Sequence, residues 1–74
     1  MDFSTFYEKL EEIFEQIVGR SITNEATVRA ALNSILQSGE SLEVKKLALV
    51  KSLVEQEGVS MSEARRVANE FFGE

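Results

Sequence analysis

The chain contains no cysteine, no histidine and no proline. Without cysteine there is no disulfide framework and no thiolate metal site, which fits a reducing compartment. With histidine also missing, zinc, haem and iron–sulfur centres lose their usual ligands. The commonest general base is absent too, so no imidazole activates a serine. No glycine-rich phosphate loop and no pair of buried carboxylates can be read. No apolar run approaches the length of a membrane span, and the first residues lack the basic region and apolar block of a signal peptide. The expectation is a soluble cytoplasmic protein, not an enzyme, with no metal and no cofactor.

What is present points to one small folded unit. Seventy-four residues with 43% hydrophobic content are ordinary for a globular domain and argue against intrinsic disorder. Residues 1–74 are therefore read as a single helical domain. A core this small yields about 3–5 kcal/mol, so self-association is a live source of extra support. The net charge of −5 is unevenly spread: residues 1–19 hold five acids against one base, and the rest eight acids against seven bases. That acidity disfavours generic binding to nucleic-acid phosphates.

The densest apolar run lies between Leu42 and Glu57. Wound at about 100° per residue, Leu42, Leu49 and Leu53 fall on one line, and Val44, Leu47, Ala48, Val50 and Val54 spread the apolar surface sideways. A sector wider than the usual amphipathic stripe predicts a helix touched by neighbours on more than one side. This segment is the expected hub of an all-α, compact bundle of four short helices, at about residues 3–18, 24–38, 42–57 and 61–72.

The first helix has the strongest periodicity. Phe3, Phe6, Tyr7, Leu10, Ile13, Phe14, Ile17 and Val18 share one sector, with every charge outside it. Asp2 is its expected N-cap, Met1 is placed to staple onto Phe6, and Gly19 supplies the stop. The second helix, capped by Thr23 or Asn24 and ended by Gly39, has a smaller face of Val28, Ala31, Leu32, Ile35 and Leu36, and reads as peripheral. Ser41 is the cap expected for the third helix and Gly58 its end. Ser60-Met61-Ser62-Glu63 is a capping-box signature for the fourth, with Val59 as a staple to Ala64. That helix carries Met61, Ala64, Val67, Ala68, Phe71 and Phe72 on one face, and Gly73 and Glu74 should fray.

Three surfaces are candidate sites. The acidic ridge of the first helix, Glu8, Glu11, Glu12 and Glu15, is suited to dock a basic partner, to imitate the charge of a nucleic-acid backbone and so inhibit a protein that binds one, or simply to keep a small protein soluble. It makes a poor metal site because bundle carboxylate sites need inward-facing acids. The second surface is the helix–turn–helix unit of residues 45–67, where Lys45, Lys46, Lys51, Arg65 and Arg66 would be the basic contacts of a nucleic-acid reader. Against that role, the fourth helix opens with Ser-Met-Ser-Glu where base-contacting residues are wanted. The third is the aromatic set, mostly core. Adjacent Phe71 and Phe72 point about 100° apart, which leaves one of them partly exposed; with Phe3 and Tyr7 they are the expected dimer contact or partner groove.

Lys46-Leu47-Ala48-Leu49-Val50-Lys51, followed by Gly58-Val59-Ser60-Met61-Ser62-Glu63-Ala64-Arg65, is similar to the helix–turn–helix surface in the C-terminal domain of the bacterial ribosomal stalk protein. The resemblance implies contact with translation factors through Lys46, Lys51 and Arg65. It covers under a third of the chain. That family's flanking strands have no counterpart in residues 1–41, and its second turn glycine is Ser60 here, so what is shared is a way of turning a corner between two helices.

The function expected from these residues is non-catalytic binding of another protein, as a regulator, adaptor or inhibitor acting through a helix surface. The runner-up is nucleic-acid binding through residues 45–67. A third reading is a homodimer or assembly subunit using Phe71, Phe72 and the edge of the first helix.

Overall fold

A computed structural model describes residues 3–73. It contains four helices, α1 (Phe3–Val18), α2 (Glu25–Gln37), α3 (Leu42–Glu57) and α4 (Met61–Phe71), and no strand among the described residues. The expected Asp2 cap, the Met1 staple and the fraying of Glu74 lie outside those residues. Each helix is in the expected place to within a residue at either end.

The helices pack in a closed ring. α3 lies against α2 on one side and α4 on the other, α4 also packs on α1, and a thinner α1–α2 seam closes the circuit. Lys9 reaches the ring of Phe71, while Gln16 and Ile17 lie beside Arg66 and Asn69. α1 and α4 are thus antiparallel. The core is one cluster, with Tyr7, Leu10 and Phe14 from α1, Val28 and Leu32 from α2, Leu49, Val50 and Leu53 from α3, and Ala64, Val67, Ala68 and Phe71 from α4. α2 contributes the fewest buried residues, as its narrow apolar face predicts.

Local chemistry sets most helix ends. Gly19 (φ +88°) donates its amide to the Glu15 carbonyl at 2.9 Å and stops α1. Gly58 (φ +69°) ends α3 in the left-handed conformation that favours glycine. Ser41 Oγ accepts from the Val44 amide, and Ser60 and Glu63 form the full reciprocal capping box at the start of α4. Val59 and Ala64, the expected staple pair, are both buried.

The ends of α2 depart from expectation. Gly39 does not stop it: the helix finishes at Gln37 with extended Ser38 as its cap, whose hydroxyl and amide both donate to the Ile35 carbonyl. Asn24 holds the N-cap position, but its side chain makes no capping bond and donates instead to the Gln56 carbonyl. The acceptor at this helix start comes from the far end of α3. The Glu57 carboxylate accepts from the Asn24 amide (2.7 Å), the Thr23 amide (2.9 Å) and the Thr23 hydroxyl (3.1 Å). Arg20 completes the cluster, donating to Glu57 Oε1 at 2.9 Å and to the Glu57 carbonyl at 2.6 Å.

The Glu57 side chain is fully buried, whereas that of Arg20 is 41% exposed. Burial alone would raise this carboxyl's pKa, and it is the largest single influence. The Thr23 and Asn24 amides together with Arg20 and the Thr23 hydroxyl outweigh it and hold the carboxyl below its ordinary range. A carboxylate at the start of α2 also meets the positive end of that helix dipole. The six-residue connector is therefore pinned to the core, and Ile22 within it is buried.

Among the described residues, Tyr7 is the one discord in the core. It is 1% exposed, and its hydroxyl has no hydrogen-bond partner among the described residues. Burial, and then Glu11 and Glu25, push its phenol up to about 12. The Arg29 guanidinium covers the ring at 4.9 Å from its centroid. Tyr7→Phe keeps the shape and removes an unsatisfied polar group, so a gain of about 1 kcal/mol is expected in urea denaturation. A loss of that size would show that the hydroxyl is bonded in solution.

Candidate functional site

α3 carries more apolar surface than its neighbours cover. The line through Leu49 and Leu53 is sealed in the core, but Leu42 (46% exposed), Val44 (43%) and Leu47 (62%) remain in solvent. The expectation that the whole wide sector meets other helices thus holds only for its C-terminal part. Leu42, Val44 and Leu47 lie on a face of α3 that neither α2 nor α4 covers.

Between α3 and α4 this excess becomes a groove. Val50 and Val54 form its floor, Leu47 stands on the α3 wall, and Met61 (52% exposed) stands on the α4 wall. The open volume is about 350 Å³. Lys51 and Glu55 follow Leu47 at i+4 and i+8 along one wall, and Arg65 follows Met61 at i+4 along the other. The corner that sets the angle between the walls is short and fixed: left-handed Gly58, buried Val59 and the Ser60 capping box. A contiguous apolar patch with a charged rim is how small soluble domains mark an interaction surface.

Two of the three cations singled out by the corner's resemblance, Lys51 and Arg65, line this groove, and Lys46 is half-buried on α3. Arg66 points elsewhere, into a depression shared with Gln16, Ile17, Asn69 and Glu70. Lys45 is half-buried. The basic residues of 45–67 are thus divided among different faces. The α3 residues of the groove were visible in the sequence as the excess width of that helix, whereas Met61, expected on the apolar face of α4 with Ala64 and Val67, stands in solvent; only the packing separates covered from uncovered.

The acidic ridge is a separate surface. Glu8, Glu11, Glu12 and Glu15 line a depression with Ser21 and Ile22 of the connector. Glu8, Glu12 and Glu15 are exposed, whereas Glu11 is half-buried. Burial first, then the nearby Glu25, raises the Glu11 carboxyl above its ordinary value. Among the described residues no group of three or more acids is placed to hold a metal ion.

The aromatic residues sort as core and core edge. Tyr7, Phe14 and Phe71 are buried, and Phe3, Phe6 and Phe72 are half-buried. Phe72 meets Phe71 edge-on, with ring centroids 5.0 Å apart. Arg29 lies over Phe3 as well as Tyr7, and Arg20 over Phe14. Another open depression, lined by Phe3, Ala26, Arg29, Ala30 and Asn33, includes none of the large exposed hydrophobic side chains. No helix of the described residues is long and apolar enough to cross a membrane. Comparison with family models, curated proteins and solved structures finds no match to this chain.

Proposed function

We propose that this chain is a non-catalytic protein-binding module that acts through the α3–α4 face. The observation that carries the reading is the joint exposure of Leu47 and Met61 over a floor of Val50 and Val54. The rest of the large apolar side chains in the described helices are buried or half-buried, apart from Leu42 and Val44, which lie on the same helix as Leu47. Water-exposed leucine and methionine facing each other across a groove lose unfavourable hydration when a partner covers them. The nucleic-acid reading has less support, because Lys51 and Arg65 share their groove with Glu55 and Arg66 lies in another depression beside Glu70.

The test compares two charge-changed variants in affinity capture from the native cell. Leu47→Glu with Met61→Glu places carboxylates in the groove without touching the core. Replacing Glu8, Glu12 and Glu15 with lysine reverses the exposed acids of the α1 ridge. Capture of a partner that survives the ridge change and is lost, by tenfold or more, in the groove variant is the expected result. Loss in the ridge variant alone would move the binding surface to α1.

A further inference from the structure

We propose that the groove takes an amphipathic helix whose apolar stripe is flanked by carboxylates; this rests on the reading that the α3–α4 face is the binding surface. Shape narrows the occupant first. Each wall is a helical ridge with residues at i and i+4 spacing, so the trough runs between two rods and accepts a third. The described residues hold no strand, so an extended peptide has no sheet edge to join. Proline-rich segments dock on aromatic-lined grooves, and none of the residues lining this one is aromatic. Of the recurrent peptide-recognition modes, a helix laid in an apolar groove is the one these walls fit.

Charge narrows it further. Lys51 and Arg65 stand on opposite walls, and Glu55, on the same wall as Lys51, is the single acid among the described residues of the rim. An occupant with carboxylates on both flanks of its stripe meets a cation on each side. A second copy of this chain fits less well. Two grooves facing each other across a two-fold axis would bring four cations together with two acids. Nor can the chain's own acidic helix serve, because the apolar stripe of α1 is already buried in the core. The net charge of −5 does not decide against an acidic partner. Its excess sits on α1, which makes no close backbone approach to α3 among the described residues, and physiological salt screens exposed charges beyond about 8 Å.

The test uses the full chain, labelled with ¹⁵N, and three peptides of about 15 residues, long enough for marginal helicity. One carries leucines at i, i+3, i+4 and i+7 flanked by glutamates, the second has the same leucines flanked by lysines, and the third scrambles the first. The glutamate-flanked peptide is expected to shift the amides of Leu47, Val50, Val54 and Met61. It should bind about tenfold more tightly than the lysine-flanked one, within the range that two rim ion pairs give. In the Lys51→Glu, Arg65→Glu variant that preference should reverse. Equal binding of both leucine-striped peptides, or preference for the lysine-flanked one in the unmodified chain, overturns the acidic occupant and leaves the groove as the docking face. Shifts no larger than the scrambled peptide gives overturn the groove itself. Sedimentation closes the remaining route: a concentration-dependent dimer abolished by Leu47→Glu assigns the groove to a second copy and overturns the proposal.

Discussion

Glu57→Ala is expected to remove about 3 kcal/mol of folding free energy, most of what a core of this size supplies. The carboxylate serves as acceptor for two backbone amides, a hydroxyl and a guanidinium at once. Truncating it leaves those part-buried donors at the C-terminal end of α3 without their partner, and an unpaired donor costs more than a made bond returns. Arg20 is partly exposed and can turn to water, which keeps the cost below the full penalty for breaking a buried ion pair. Glu57→Gln retains an acceptor oxygen but not the charge, and about half the loss is expected. Urea denaturation followed by far-UV circular dichroism measures both.

The same cluster fixes the sign of the acid response. Because the carboxyl's pKa is depressed in the folded state, its contribution is complete above the unfolded value, near 4.3, and is lost as pH falls through the lower folded value. The stability difference between the unmodified chain and Glu57→Gln should therefore shrink as the medium is acidified below about pH 4.5. Parallel curves down to pH 2 would show that the carboxylate gains nothing from its partners.

Phe14→Ala is the second large effect. The ring is completely buried at the middle of the core, and phenylalanine truncations at such sites cost about 3–5 kcal/mol. That equals the whole stability expected of the chain, so the variant should be unfolded at 25 °C. Phe14→Leu, nearer in volume, should stay folded with a loss of about 1.5 kcal/mol. The ring also supports Arg20, whose guanidinium carbon lies 5.4 Å from its centroid, and Arg20 grips Glu57. A double-mutant cycle between Phe14→Leu and Glu57→Gln should accordingly show a coupling above about 0.5 kcal/mol. Additive losses would mean that Arg20 does not join the two.

The number and order of the helices, and the limits of all but α2, were legible because short-range rules agreed there. Phe3 to Val18 keeps one apolar sector, Gly19 and Gly58 take the left-handed turn, and Ser60 with Glu63 caps α4. Gly39 misled because a hydroxyl at Ser38 does the work assigned to it. The Glu57 cluster was illegible for a different reason: its partners stand 33 to 37 positions away, beyond any helical period. One local signal did exist. An acid in the last turn of a helix opposes the dipole there, and α3 ends with Glu55 and Glu57 and no base in its last turn. Such a misplaced charge asks for a tertiary partner, and Arg20, alone in a connector otherwise free of charge, was the cation to try. The groove was half legible, since the width of α3 showed surplus apolar surface but not whether α2 or α4 would cover Leu47.

The circuit of helices also says something about assembly in time. α2 with α3, and α3 with α4, are neighbours along the chain, joined by short loops, so those pairings need only cheap, rapid closures. α1 with α4 is the extensive contact that spans the molecule from one end to the other. The ring thus has one long-range clasp, between its first and last helices, and closing it carries the largest loop-entropy cost of the circuit.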